Sequence, residues 1–218
     1  MVQMCNIQLI SLWLVVFAIS FAVGFIFQKT KENEKSLHNL LVKTYQIPKI
    51  GKFYKVSLGQ FRKAMKEEFD TRFSDEQIEE MYQKIKLPKR GTTGSAGYDF
   101  FAPFDFELYP NDVIKIPTGI RVYVDAGWFL GCVPRSGLGF KYGIALSNTF
   151  GVIDEDFFHT KDEGHIYAKL VNRSTEGKHA EIKQGDGFMQ GIFLKYGITD
   201  NDDSEGVRNG GFGSTDKK

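Results

Sequence analysis

The first 28 residues contain no Asp, Glu, Lys or Arg, although charged residues make up 25% of the 218-residue chain. The two cysteines, Cys5 and Cys132, are too few for a disulfide framework or a Cys-rich zinc site and fit a reducing compartment. The chain has no basic excess: Lys plus Arg is 28, Asp plus Glu is 27, and the net charge is +1. A general nucleic-acid binder would carry such an excess, so none is expected as a partner. Proline is sparse at 6, whereas Gly reaches 23 and Phe 20, a mix that suits a turn-rich β protein with an aromatic core. The 42% of hydrophobic residues excludes wholesale disorder.

The uncharged stretch has a clear reading. Ile7 to Phe27 is a run interrupted only by Gln8, Ser11, Ser20 and Gly24. As a helix it would span about 30 Å, the thickness of a bilayer's hydrocarbon core. Nothing basic precedes it, as a cleaved signal peptide would require. Lys29, Lys31, Lys35 and Lys43 follow it, so the positive-inside bias leaves the rest of the chain in the cytosol. Residues 1–28 are therefore expected to be a transmembrane anchor, and 29–56 a linker or stalk.

Residues 57–86 read as a helical lead. Ser57 with Gln60, and Ser74 with Gln77, have capping-box spacing. Leu58, Phe61, Met65 and Phe69 then share one face, and Ile78, Met81 and Ile85 follow the second cap. From Leu87 the period falls to two. Phe104–Leu108, Val113–Ile116, Gly119–Val124, Trp128–Val133, Ile166–Val171 and Met189–Tyr196 read as strands with turn chemistry between them. The expectation is an all-β sandwich or barrel over 87–218, ending in a mobile arm from about residue 200.

Five stretches combine Gly with hydroxyl and charged residues. They are Gly94–Asp99, Pro134–Gly139, Asn148–Phe157, Gly185–Gln190 and Arg208–Thr215. Arg135-Ser136-Gly137 offers a cation, a hydroxyl and an approachable backbone N–H, which suits phosphate. Phe212, Gly213, Ser214 and Thr215 offer a stacking face beside two hydroxyls. Asp154 follows the apolar pair Val152 and Ile153, where a carboxylate could orient and deprotonate a water. Together these groups point to nucleotide hydrolysis.

In this order the five stretches resemble the motifs of the trimeric all-β dUTP diphosphatases (dUTPases). The resemblance implies a jelly-roll homotrimer with active sites at subunit interfaces, hydrolysing dUTP to dUMP and pyrophosphate with Mg2+. It implies that Asp154 activates the attacking water and that Phe157 packs under the deoxyribose. Asn148, with Gly151, Val152 and Ile153, falls on the hairpin that reads uracil. Arg135, Ser136, Gly137 and Gln190 fall on phosphate contacts, and Arg208, Ser214 and Thr215 near the γ-phosphate. Phe212 falls on the base-stacking residue of the arm, with Gly213 beside it, and Asp99 on the acid near the hydration shell of Mg2+.

Four features depart from the family pattern. Phe157 stands where Tyr is usual, residues 158–163 lengthen the following turn, Arg208 is four residues before Phe212 rather than five, and Asp216 replaces a Gly. Two alternative functions remain open on sequence grounds. One is a dCTP deaminase on the same fold, although segment 144–153 has no Glu to serve as its acid–base group. The other is a membrane-tethered binding or regulatory protein on a dUTPase scaffold.

Overall fold

The structure is a computed structural model that describes residues 19–37, 47–206, 208 and 210. It divides into two compact units, Met1–Lys49 and Ile50–Lys218.

In the first unit residues 19–37 form a helix, α1. Its apolar side chains, including Phe21, Phe25 and Phe27, are exposed. Among the described residues no helix is long and apolar enough to cross a membrane. Most of the expected 7–27 span lies outside the described residues. The stalk reading of 29–56 is corrected at its C-terminal end. Residues 29–37 continue α1, and Gly51–Lys55 form a strand, β1, of the second unit. The polar, Gly-started sequence of β1 hides it from a periodicity reading. It is a strand because it pairs antiparallel with β6 (Ile120–Val124), Gly51 opposite Val124 and Lys55 opposite Ile120.

The helical lead forms as two helices, α2 (Leu58–Phe69) and α3 (Asp75–Lys84). At α3 the capping box closes fully: the Gln77 N–H donates to Ser74 Oγ (3.3 Å), and the Ser74 N–H to Gln77 Oε1 (2.8 Å). At α2 only half of it forms. The Gln60 N–H donates to Ser57 Oγ, but the Ser57 N–H donates to the carboxylate of Glu163 (2.8 Å). The charged acceptor makes the stronger bond and displaces the glutamine side chain. The apolar face of α2 buries Phe61 and Met65, and α3 buries Ile78. Burying a side chain such as Phe61 contributes about 2–3 kcal/mol.

The remaining strands are β2 (Lys89–Arg90), β3 (Tyr98–Phe101), β4 (Phe106–Leu108), β5 (Val113–Pro117), β7 (Trp128–Pro134), β8 (Ile144–Leu146), β9 (Gly151–Ile153), β10 (Tyr167–Asn172), β11 (Ala180–Ile182) and β12 (Gly187–Lys195). All pairings are antiparallel. A five-stranded sheet has the order β2-β3-β12-β7-β9, and a three-stranded sheet the order β5-β10-β8. Two ribbons, β1-β6 and β11-β4, complete the fold. One short helix, α4 (Ser136–Tyr142), follows β7. The abundance of Phe is used in the core. Phe53 packs on Tyr98, Phe100 and Phe193, while Phe104 bridges Phe69 and Phe73 of the lead to Phe106. The lead is thus part of the same core as the sheets.

Candidate active site

The five-stranded sheet carries parts of four of the five stretches, and register brings three of them together at one end. Gln190 on β12 lies opposite Asp99 on β3 and, on its other side, opposite Val133 on β7. Its side-chain amide donates to Asp99 Oδ1 (2.7 Å). Arg135, the first residue beyond β7, brings Nη2 to 3.7 Å from Asp99 Oδ2 and donates from Nη1 to the Gly187 carbonyl (3.4 Å). Gly97 lets this happen, because a Cβ there would sit 3.1 Å from the Gln190 amide. Ser136 and Gly137 open α4 immediately after Arg135. This end of the sheet therefore presents a guanidinium, an amide and a hydroxyl together, a set suited to phosphate oxygens.

A second group lies alongside β7, where β9 pairs with it. The β8–β9 connection, turning at Thr149 with φ 66°, borders a cavity of about 310 Å3. Asn148, Gly151, Val152, Ile153, Phe157 and Arg208 line it. Lys115, Tyr167 and Lys169 also line it, and no sequence motif singles them out. They come from β5 and β10, so only the folded sheet reveals them. Cys132 belongs to the same wall, and burial pushes its thiol up to about 12, so it acts as a neutral, apolar surface.

Asp154 precedes a 3-10 helix, Glu155–His159, but its side chain does not cap it. The carboxylate instead accepts from Arg208 Nη1 (2.5 Å), which also donates to Asp156 Oδ1 (3.0 Å). Arg208 lies 5.4 Å from the centre of the Phe157 ring. Burial opposes its charge, yet hydrogen bonds to Asp154 and Asp156 outweigh burial and raise its pKa further. The motif order sets Arg208 against phosphate; here it holds two carboxylates instead, the anions that the fold brings within its reach. Phe157 is buried against the cavity. Phe212, Gly213, Ser214 and Thr215 lie outside the described residues.

Register also separates the two groups. On β9, Ile153 lies opposite Leu130 and Gly151 opposite Cys132, so Asp154 falls level with Phe129. Arg135 is six residues further along β7, or about 20 Å at strand spacing. A base and a phosphate-binding cation acting on one phosphorus must lie within a few ångströms of it. One chain's Asp154 and its own Arg135 therefore do not meet at the same phosphorus in this arrangement.

Residues 83–216 match the family model described as dUTPase, and the chain belongs to the dUTPase family. Curated relatives bear the name deoxyuridine 5'-triphosphate nucleotidohydrolase. That of Lactococcus lactis is 38% identical over 134 residues, covering 60% of this chain and 88% of its own length. That of Desulfitobacterium hafniense is 39% identical over 138 residues, covering 60% and 87%. Among solved structures, the dUTPase of Streptococcus mutans aligns with 32% identity and a TM-score of 0.48, covering 55% of this chain and 91% of that one.

Proposed function

We propose that this chain hydrolyses dUTP to dUMP and pyrophosphate, keeping uracil out of DNA and supplying dUMP for thymidylate synthesis. The observation that carries the reading is Asp154 at the edge of a nucleoside-sized cavity that Phe157 and the β8–β9 hairpin line. In this reading the base enters beside Asn148 and the backbone of Gly151–Ile153, and the sugar rests on Phe157. A ribose 2′-hydroxyl would meet the ring, which favours deoxyribose.

Asp154 then takes a proton from a water, and the water's oxygen attacks the α-phosphorus. The bond from that phosphorus to the bridging oxygen of the β-phosphate breaks, and pyrophosphate leaves with the electron pair. Arg135, Ser136, Gly137 and Gln190 hold the phosphate chain. Arg208 has a double role: the substrate's phosphates compete for its guanidinium, and its departure frees Asp154 to act as a base. Phe212 stacks on the base, with Gly213, Ser214 and Thr215 closing over the phosphates.

Mg2+ fits this chemistry through the substrate. Among the described residues no group of three or more His, Cys, Asp or Glu could hold a metal. A single carboxylate, Asp99, stands by the phosphate-binding side chains, with Oδ1 engaged by Gln190. That set suits an ion held by phosphate oxygens and water, with Asp99 bonding to the waters. When bound, the ion neutralises phosphate charge and so lowers repulsion toward the incoming water.

The assembly in this reading is a jelly-roll homotrimer. The distance between Asp154 and Arg135 of one chain supports it, since a second copy must complete each site. Phe140, 95% exposed on α4 next to Arg135 and Ser136, supports an apolar contact between copies there. The reading also keeps residues 7–27 as a membrane anchor with the catalytic domain in the cytosol. It rests on the uncharged run and the lysines that follow. Recovery of the chain in the soluble fraction after gentle lysis would overturn the anchor.

The enzyme reading is tested by pyrophosphate release from dUTP, dCTP, dTTP and UTP by the purified full chain, with and without Mg2+. Cleavage selective for dUTP and lost in Asp154→Asn is the expected result. Equal cleavage of dCTP or UTP, or full activity in Asp154→Asn, would overturn it.

A further inference from the structure

The insertion at 158–163 and the helical lead meet at one place. Glu163 has φ 58°, a left-handed conformation that is strained for a non-glycine residue. Its carboxylate accepts from the Ser57 backbone N–H (2.8 Å) and from Ser57 Oγ (2.6 Å), at the start of α2. Burial would raise the Glu163 pKa, but the Ser57 bonds and Arg121 together lower it, so the group stays charged. Gly164 follows with φ 65°, packed so tightly that a Cβ would lie 2.7 Å from the Phe157 carbonyl oxygen. The insertion is therefore folded back onto the 3-10 helix that starts after Asp154.

Arg121 on β6 joins these parts. Its Nη2 donates to the Phe158 carbonyl (2.6 Å), its guanidinium lies 3.7 Å from the Phe158 ring centre, and Nη1 is 3.9 Å from the Glu163 carboxylate. Tyr54 of β1 and Tyr123 of β6 flank the same ring. The helix is pinned from its other end too. Glu155 accepts from the Gly127 N–H (3.0 Å) and from the Tyr196 hydroxyl (3.1 Å). Asp154 and Phe157 are held by these two anchors.

We infer that Arg121, with Glu163 and Ser57, forms a brace by which the helical lead fixes Asp154 and Phe157 for the reaction, so that Arg121 is a positioning residue. The inference deepens the proposed dUTP hydrolysis and rests on the roles given there to Asp154 and Phe157. Arg121 touches the carbonyl and ring of Phe158 and does not line the cavity, so it acts on catalysis through geometry alone. A misplacement of about 1 Å in a reacting group can lower a rate by about a hundredfold, so a loosened brace should be visible in kcat.

The test uses the full chain with Arg121→Ala, Arg121→Lys and Glu163→Gln. Each is assayed for kcat and KM with dUTP, for its dUTP-to-UTP preference, and for amide exchange over residues 155–164 without substrate. In Arg121→Ala the expected result is a kcat lower by about tenfold or more, with KM changed by less than about threefold. The preference for dUTP should fall, because Phe157 moves with the helix, and exchange at 155–164 should speed up. Arg121→Lys restores a cation but not the planar fork and should recover only part of kcat. Glu163→Gln should fall between wild type and Arg121→Ala. A folded Arg121→Ala protein with wild-type kcat, or with unchanged exchange at 155–164, would overturn the brace. Failure of the wild-type chain to cleave dUTP would instead overturn the proposed function, and the exchange measurement would still decide the brace.

Discussion

The two ends of β7 are built in different ways. At the Arg135 end, Asp99, Gln190 and Arg135 are aligned by strand register and bonded to one another across three neighbouring strands. At the Asp154 end, the functional groups stand on β9, which pairs with β7 at the edge of the same sheet, and on a short 3-10 helix that follows it outside the sheets. They are held by side chains and backbone reaching in from β6, the β6–β7 turn and the N-terminus of α2. Phosphate binding tolerates a rigid, exposed rack. In the proposed reaction, a base that aims a water needs a loop that can exchange partners, and Asp154 already has one such partner in Arg208. Rigidity is supplied by pairing alone at one end, and by pairing with added bracing of the 3-10 helix at the other.

The sharpest way to break the comparison is to remove its two chemical centres and then mix them. Asp154→Asn should lower dUTP turnover by about a thousandfold, since a positioned general base contributes about 10²–10⁴. Arg135→Ala should lower kcat/KM by about a hundredfold through loss of a charged donor to phosphate. If the two ends serve different substrates within one chain, dissociating and re-associating an equal mixture of these two inactive variants restores activity at roughly a quarter of the sites. No recovery in the mixture would mean that both residues act within one chain.

A smaller effect concerns the ground on which the braced end rests. His165 is fully buried; its Nε2 accepts from the Gly119 N–H (2.8 Å), and its Nδ1 has no hydrogen-bond partner among the described residues. Burial is the main cause lowering its pKa to about 4, helped by Lys115 and opposed by Asp162 and Glu163. The unfolded chain takes up this proton near pH 6.5, while the folded chain resists it until about 4. Stability is therefore complete above pH 6.5 and declines as the pH falls toward 4, by about 3 kcal/mol from this group. Thermal melts between pH 7.5 and 4.5 should show the decline, and His165→Gln should flatten it. An equal slope in that variant would assign the pH dependence to other groups.

The smallest effect sharpens the comparison by touching neither end. Ser74→Ala removes the cap of α3 and should lower stability by about 1 kcal/mol, leaving kcat with dUTP unchanged. A fall in kcat would show that α3 also supports the site.

Strong local patterns are legible in the amino-acid sequence alone. Both helices of the lead are evident from their caps and stripes, and β5, β6, β7, β10 and β12 from alternation and turn residues. Asp154, Asn148 and Phe157 stand out through the apolar lead-in and the motif order, and they do line or flank one cavity. Of the short strands only β4 shows, inside the alternation of Phe104–Leu108; β2, β3, β8, β9 and β11 have two to four residues, too few to display a period by themselves. β1 escapes because its partner lies some seventy residues away. Lys115, Tyr167 and Lys169 carry no motif, and only the pairing of β5 with β10 brings them to the cavity. The Arg208 contact is likewise hidden, since a guanidinium's choice among anions depends on which one is near.

The pairing of β1 with β6 has a mechanical side. Chain entering the second unit at Ile50 passes at once into β1, whose five residues are bonded to the strand that bears Arg121. Two residues later it reaches Ser57, the other contact of Glu163. Any tension arriving along the chain from the N-terminal side is therefore delivered first to β1 and then to Arg121 and Ser57, which brace the far end of the helix behind Asp154. In the proposed reaction, the point of attachment and the aim of Asp154 share one load path.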